Sequence, residues 1–387
     1  MSEQRGVTER RAFVGALGIY TAGGLFWAFL PFFIGLQTSS GGMTQAQAGS
    51  LGSAYLVGFT LASLTALWWG SRLNWRTVVS AASVIIVLSL YLLQGSQSFW
   101  LSLASVCAVG VMMGSLWTIA YRIFGASSNP DRSFATGIVI SYTALAFFSY
   151  IIGQFVVPSY GLSGSAYLLS AVILVLGIAA LLIPRGAEGN TDSPAPISYR
   201  PPLPVGLALL GILATGFAFA AVWAFAERIG VAAGFDSSEI SPVIASNLLA
   251  SAAGSVLATL LGTKLGRKRT LLVGMLIMGA AILALSGADA YWLYASAIAL
   301  LGFAIGFVLP YQMGTLAALD TDGRFVALIA AAQGLGSAAG PFLGGVAADM
   351  GGVQWLVIVA VLALVLGALA FSSIATNDEE AGHLSTT

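Results

Sequence analysis

The sequence has very little charge. Only 8% of its 387 residues are charged and 58% are hydrophobic, whereas a soluble globular domain has roughly 25% charged residues. Because so few charges cannot cover a soluble fold, the mean hydropathy of +0.92 places the chain in a lipid bilayer. A formal net charge of +0 and a pI of about 6.6 offer no basic surface, so nucleic acid is not an expected partner.

Cysteine and histidine are almost absent as well. The only cysteine, Cys107, lies in an apolar run, and the only histidine, His383, stands in a polar tail. A single cysteine excludes a disulfide framework and a cysteine-based zinc site. Apolar runs without histidine or paired carboxylates hold no nucleophile–base set and no metal cluster, so we expect no cofactor and no enzymatic activity. The chain also lacks the Gly-x-x-x-x-Gly-Lys-Ser/Thr loop of an ATP-driven pump.

Long apolar runs dominate the remaining sequence. They fall at 12–36, 47–69, 77–93, 99–121, 133–157, 165–184, 204–229, 241–262, 270–287, 291–313, 324–346 and 354–374. Each run can form a helix of about 20 residues, which crosses the hydrocarbon core, whereas a barrel would show short alternating segments. The sequence therefore predicts an all-helical integral membrane protein with twelve transmembrane helices.

The basic residues give these crossings an orientation. If both termini are cytoplasmic, all of the 15 lysines and arginines except Arg228 fall on the inner side. The acids between the crossings, Asp236, Glu239, Asp289 and Asp349, fall on the outer side. This asymmetry satisfies the positive-inside rule, and we expect a cytoplasmic (bacterial inner) membrane with both termini inside.

The two halves of the chain repeat each other. A polar, proline-containing link at 185–203 separates a six-helix bundle at 12–184 from a second at 204–374, with cytoplasmic tails at 1–11 and 375–387. An offset of roughly 190–196 residues aligns features of the two halves. These are Gly70-Ser71-Arg72-Leu73 with Gly262-Thr263-Lys264-Leu265, Gly110 and Gly114 with Gly302 and Gly306, and Trp27-Ala28-Phe29 with Trp223-Ala224-Phe225. We predict pseudo-symmetric bundles, in which the spaced glycines, including Gly336 and Gly340, allow close helix packing.

Twelve crossings in two repeated halves with a long central link resemble the major facilitator superfamily. The loops carrying Gly70, Arg72 and Arg76 and carrying Gly262, Lys264 and Arg267 resemble the family's basic cytoplasmic loop motif, although Asn74 stands where the family has aspartate. A basic turn that only sets orientation is the alternative reading of these loops. The resemblance implies a monomeric carrier of a small solute, with alternating access to a site near the midplane of the bilayer.

In this family the first, fourth, seventh and tenth crossings line the central cavity, so the resemblance implies where solute binds. The candidate residues are Tyr20, Trp27, Met113, Trp117, Tyr121, Thr215, Phe219, Trp223, Phe303, Phe307, Tyr311 and Gln312. Aromatic residues at helical spacing also serve in packing and in interfacial belts, which is the competing interpretation.

Glu227 is the candidate for proton coupling. It continues the stripe of Thr215, Phe219 and Trp223, which recur every fourth residue and share one helix face. Neighbouring helical residues point about 100° apart, so Arg228 need not neutralise this carboxylate. The alternative is an interfacial carboxylate in water without a mechanistic role.

The lack of charge also selects the class of solute. No lysine or arginine lies near the middle of a predicted crossing, and an unpaired anion would be costly to bury there. We expect a small neutral or weakly basic, partly apolar or aromatic solute. The aromatic walls favour efflux. Uptake of a small nutrient such as an organic acid or aromatic compound is one alternative, and a passive channel or lipid scramblase is another.

Overall fold

The computed structural model describes residues 2–96, 98–186, 201–320, 325 and 328–374, and the regular structure in them is helical. The helices are α1 (Ser2–Ser39), α2 (Gln45–Trp69), α3 (Trp75–Gly95), α4 (Phe99–Gly125), α5 (Pro130–Ile151), α6 (Val157–Gly177), α7 (Leu203–Ala224), α8 (Ala226–Ala232), α9 (Ser237–Leu261), α10 (Arg267–Ala284), α11 (Tyr291–Leu319) and α12 (Leu328–Ser372). A π-helical turn, Ile152–Val156, joins α5 to α6, and 3₁₀ turns follow α6 and α10. Most of the predicted link at 185–203 and all of the predicted tail at 375–387 lie outside the described residues.

Polar residues between the apolar runs determine where helices begin. Thr44 Oγ1 accepts a hydrogen bond from the Gln47 N–H, and the Gln47 side chain accepts one from the Thr44 N–H, which forms a capping box at the start of α2. Asp236 and Glu239 form the equivalent box at the start of α9. Such boxes satisfy N–H groups that have no partner within the helix, so these two helix starts follow directly from the sequence.

Nine helical segments of the described residues are long and apolar enough to cross a membrane. The protein is therefore an integral membrane protein. Two of the nine, Arg132–Leu181 and Leu328–Ser372, have 50 and 45 residues. The first leaves helical geometry at Gly161 (φ 57°, ψ −144°) and the second at Gly351 and Gly352. The twelve predicted crossings thus do not appear as twelve separate apolar helices.

The spaced glycines lie where helices approach most closely. Side chains at Gly110 and Gly114 of α4 would overlap backbone carbonyl oxygens of α2, and side chains at Gly302 and Gly306 of α11 would overlap those of α9. The prediction that these glycines serve helix packing is confirmed. The two equivalent glycine pairs also make equivalent contacts, α4 with α2 and α11 with α9, as the sequence repeat predicts.

Three seams join the N-terminal half (residues up to 186) to the C-terminal half (residues from 201). In the first, α2 packs along the beginning of α12, with Gly49 against Pro341 and Gly345 against the Gln45 carbonyl. In the second, α1 contacts α7 and α8. In the third, α5 and the π-helical turn that follows it pack against α9, with Gly153 against Ser241. These seams position the candidate site.

Candidate solute-binding site

Aromatic residues of α1 and α4 form one group. The Tyr20 ring centroid lies 4.3 Å from that of Trp117 and 5.6 Å from that of Tyr121, and Phe59 of α2 lies 5.6 Å from Trp117. We call Tyr20, Phe59, Trp117 and Tyr121 the α1–α4 cluster. Tyr20 is 1% exposed and Tyr121 39% exposed, so the cluster runs from the protein interior to an accessible surface. The structure thus brings together three of the predicted site residues.

A second aromatic group joins the two halves. The ring of Trp27 lies 5.9 Å from Trp223 and 6.1 Å from Phe219, and the last two rings are parallel within 5°. Trp223 Nε1 also donates a hydrogen bond to the Trp27 carbonyl oxygen at 3.2 Å. We call these three residues the α1–α7 cluster. The two tryptophans that the sequence repeat places on equivalent crossings therefore contact each other.

Two polar side chains meet one helical turn from the α1–α7 cluster. Gln312 Nε2 donates to Thr215 Oγ1 at 2.8 Å, and Thr215 Oγ1 donates to the Gly211 carbonyl at 2.8 Å. Both side chains are buried, and Gln312 Oε1 has no hydrogen-bond partner. Thr215 is four residues before Phe219, so both lie on the same face of α7.

Glu227 and Arg228 lie on α8 and meet the end of α1. Arg228 Nε is 3.7 Å from Glu227 Oε2, and Arg228 Nη1 donates to Thr38 Oγ1 at 3.1 Å. The arginine side chain thus folds back towards the neighbouring carboxylate, although adjacent helical positions point about 100° apart. Glu227 Oε2 has no hydrogen-bond partner and lies against Gly35, where any side chain would overlap it.

Four predicted site residues have other neighbours. Met113 is fully buried within the helix packing of α4. Phe303 stacks on Phe307 at 5.8 Å, Phe307 packs over Gly274 of α10, and the Tyr311 hydroxyl donates to the Ala258 carbonyl of α9 at 3.3 Å. The aromatic stripe of α11 thus packs against α9 and α10 rather than joining either cluster. The spacing of Phe303, Phe307 and Tyr311 correctly predicts that they share one face of α11, but it does not show which helices pack against that face.

The basic loops make local contacts. Arg76 Nε donates to the Ile183 carbonyl at 2.8 Å, and the Arg72 guanidinium lies 5.0 Å from the centroid of the Trp68 ring. Gly262 has φ 53°, a left-handed conformation that favours glycine. Arg267 packs against Gly314 of α11, and Lys264 is exposed. Gly70 lies against the Arg122 side chain, whose Nη2 donates to the Ala66 carbonyl at 2.8 Å, a favourable position for a cation at the end of α2.

Sequence reasoning missed one polar contact between the halves. Asp349 accepts hydrogen bonds from the backbone N–H groups of Gln45 and Ala46, each at 2.9 Å. These are the first two N–H groups of α2, and the Phe342 N–H adds a bond to Ser53 Oγ at 3.0 Å in the same seam. An acid after an apolar run was the only available signal, because the partners are 304 and 303 positions apart.

Within the described part of the chain, no group of three or more His, Cys, Asp or Glu side chains could hold a metal ion. The site therefore consists of aromatic rings, one amide–hydroxyl pair and one ion pair near its end. Such a site binds by shape, apolar contact and a few hydrogen bonds.

Comparison with known proteins supports this architecture. The sequence model of the Major Facilitator Superfamily matches residues 207–386, and solved transporters superimpose on nearly the whole chain. The chain thus matches the major facilitator superfamily over its C-terminal half and has the fold of these transporters over nearly its whole length. It is a transporter and not an enzyme.

Two solved superfamily transporters illustrate the likeness. A point mutant of the nucleoside transporter NupG superimposes with a TM-score of 0.75 at 12% identity, covering 95% of this chain and 100% of that one. The human organic anion transporter MFSD10 (TETRAN) gives 0.63 at 17% identity, covering 94% and 99%. No curated protein matches the sequence. At these identities the likeness shows the fold alone.

Proposed function

We propose that the chain is a member of the major facilitator superfamily and a secondary active transporter in which two six-helix bundles alternately open a central site. The bundles are 12–184 and 204–374, with twelve crossings. This count takes the breaks at Gly161 and at Gly351–Gly352 as turns between crossings and includes α2, whose 25 residues extend about 37 Å. We further propose a monomer in a cytoplasmic (bacterial inner) membrane with both termini inside, as the distribution of basic residues predicts.

The distribution of contacts between the halves supports alternating access. In the described residues, the hydrogen bonds that join the halves involve N-terminal partners from Trp27 to Ser53. In the proposed orientation these residues occupy the outer part of α1 and α2. Tyr121, near the cytoplasmic end of α4, is exposed. We interpret the structure as closed outside, with access to the site from the cytoplasm.

The proposed class of solute rests mainly on the α1–α7 cluster. Its rings come from both halves, so a flat solute placed there contacts both bundles. The centre of each described helix long enough to cross the membrane lacks lysine and arginine, and an anion there would remain unpaired at a cost of several kcal/mol. We propose a small neutral or weakly basic solute with an aromatic face, and nucleosides, the solutes named for NupG, fit this description. The aromatic walls favour export, with uptake as the alternative direction.

The refined set of proposed binding residues contains both clusters and the polar pair beside them. Its members are Tyr20, Phe59, Trp117, Tyr121, Trp27, Phe219, Trp223, Thr215 and Gln312. Met113, Phe303, Phe307 and Tyr311 are assigned to packing in this conformation.

A thermal-shift screen of the purified protein tests the solute class. The probes are uridine (neutral), tyramine (cationic) and benzoate (anionic). A ligand present at 100 times its Kd stabilises the folded state by about 2.7 kcal/mol, which is readily detected. Uridine or tyramine should raise Tm and benzoate should not. Stabilisation by benzoate alone would refute the proposed class.

Glu227 is proposed to couple transport to protons. The carboxylate lies at the seam between α8 and α1, where opening of the halves would separate it from Gly35 and expose it to water. Its ion pair with Arg228 must then weaken for a proton to bind, because the pair favours the charged form.

The coupling role is tested with Glu227→Gln in proteoliposomes that contain labelled uridine and carry an imposed pH gradient. The variant should lose transport driven by the gradient and retain uridine exchange. Asp289→Asn, at an exposed acid predicted on the same side, is the control and should behave like wild type. Unchanged gradient-driven transport in Glu227→Gln would refute the coupling role.

A further inference from the structure

The hydrogen bonds of Thr215 fix the orientation of the Gln312 amide. The Thr215 hydroxyl hydrogen is directed to the Gly211 carbonyl, which can only accept. Thr215 Oγ1 is therefore left as an acceptor towards Gln312, and the amide must present its NH₂ group there. The Gln312 carbonyl oxygen Oε1 consequently points away from Thr215.

Gln312 Oε1 is a buried acceptor without a partner. The residue is 1% exposed, and no hydrogen-bond donor reaches this oxygen. More than about 90% of buried polar groups in folded proteins have a partner, so each exception calls for an explanation. Packing alone does not require this oxygen, because an apolar side chain of similar shape could fill the same space. An acceptor that is both fixed in orientation and unsatisfied is well placed to meet a donor that arrives with a ligand.

The surroundings of Gln312 match this role. Its partner Thr215 lies one helical turn from Phe219, whose ring is 6.1 Å from Trp27 of the opposite half. Pro310 precedes Gln312 by two residues and cannot donate to the Gly306 carbonyl, which accepts instead from Ser255 Oγ at 3.1 Å. The regular hydrogen bonds of α11 are therefore interrupted beside the amide, where small movements of the helix are easiest.

We propose that Gln312 Oε1 accepts a hydrogen bond from an N–H or O–H group of the solute while the solute's ring lies against the α1–α7 cluster. Gln312 is thereby a specificity-determining residue that selects ring-bearing solutes with a donor beside the ring. Thr215 is a positioning residue that holds the amide in this orientation. The inference rests on the proposed function, because it assumes that a neutral aromatic solute occupies this site.

One arm of the test needs no ligand. Gln312→Met keeps the side-chain length and removes the unsatisfied oxygen, while Thr215 keeps its bond to Gly211. We expect the Tm of the ligand-free variant to be either the same as that of wild type or about 1–3 °C higher. Asn247→Leu is the matched control, because the Asn247 amide is buried and donates to the Ile298 carbonyl at 2.7 Å, and its loss should lower Tm. If Gln312→Met lowers Tm as much as Asn247→Leu does, the claim that Gln312 Oε1 is an unsatisfied acceptor is overturned.

The second arm measures binding of uridine and of analogues that each lack one donor, namely N3-methyluridine and 2′-, 3′- and 5′-deoxyuridine. Wild type should bind one of these analogues about tenfold more weakly than it binds uridine, because that analogue lacks one hydrogen bond to Gln312. Gln312→Met should bind uridine and that analogue equally. Equal losses in wild type and variant for every analogue would overturn the inference and leave the solute class intact. If uridine and all its analogues fail to bind wild type, the same comparison is made with tyramine and phenethylamine, which lacks the phenolic donor. If these also fail to bind, the proposed solute class fails and the inference fails with it.

Discussion

The contact between Asp349 and the start of α2 predicts how strongly the outer end is held closed. The carboxylate accepts two backbone N–H groups at 2.9 Å across the seam between the halves. Opening of the outer end breaks both bonds, since donor and acceptor belong to different halves. The N–H groups at a helix start also favour a nearby negative charge. Asp349→Ala should therefore shift the conformational equilibrium towards the state open to the outside.

The size of this shift follows from the value of a helix cap. Loss of a capping side chain typically costs about 1 kcal/mol, which corresponds to roughly a fivefold change in an equilibrium constant. The Asp349 side chain is exposed, so we take this typical value rather than the upper end of the range. Asp349→Asn keeps one acceptor oxygen and should give an intermediate shift.

Spin-label distances measure the equilibrium directly. In a Cys107→Ser background, cysteines at Ser40 and Ala232 place labels at exposed positions at the ends of α1 and α8. Double electron–electron resonance should show a longer distance whose population rises about fivefold in Asp349→Ala. Asp289→Ala, which removes an exposed acid elsewhere on the outer side, is the control and should leave the distribution unchanged. A distribution in Asp349→Ala identical to wild type would refute the role of this contact.

Two further predictions concern the same side of the protein. Gly35→Ala should displace the Glu227 carboxylate and lower Tm, because the added methyl group would overlap the carboxylate. Gly95 has open space around it, so Gly95→Ala is the control and should leave Tm unchanged. Equal Tm values for the two variants would contradict the close contact of Gly35 with Glu227. The Asp236 carboxylate accepts a hydrogen bond from the Ser238 hydroxyl and further ones from the backbone N–H groups of Glu239 and Ser238. These bonds, that of the hydroxyl most strongly, lower the pKa of the carboxyl from its ordinary 3.8. A lowered pKa gives stability that is present above about pH 3.8 and is lost as the pH falls below it. The Tm difference between wild type and Asp236→Asn should therefore shrink on acidification through this range, and a constant difference would refute the capping role of the charge.

Features that depend on neighbouring positions in the chain could be predicted from the sequence. The apolar runs gave the helices, and the repeat of glycines at Gly110 and Gly302 identified positions of close helix contact. The pairing of Trp27 with Trp223 was also accessible, because the repeat placed both on equivalent crossings. These features are set by local composition and by the internal symmetry of the chain.

Features that depend on which helices meet could not be read from spacing. The aromatic stripe of α11 was predicted to line the cavity, but Phe307 and Tyr311 face α10 and α9. The ion pair of Glu227 with Arg228 depends on side-chain conformations beside α1. The Asp349 contact joins positions about 300 residues apart, and an acid after an apolar run does not indicate which helix start it meets. The orientation of the Gln312 amide likewise appears only once its bond to Thr215 is known.

The most direct test of the account measures distances at both ends of the protein in the same samples. The outer pair is Ser40 and Ala232, and the inner pair is Ser71 and Thr263, exposed residues at equivalent positions of the two halves. We predict two populations whose distances change in opposite senses, so that Asp349→Ala lengthens the outer distance and shortens the inner one. Distances that stay fixed at both ends, or that lengthen together, would contradict a transporter that opens alternately around a central site.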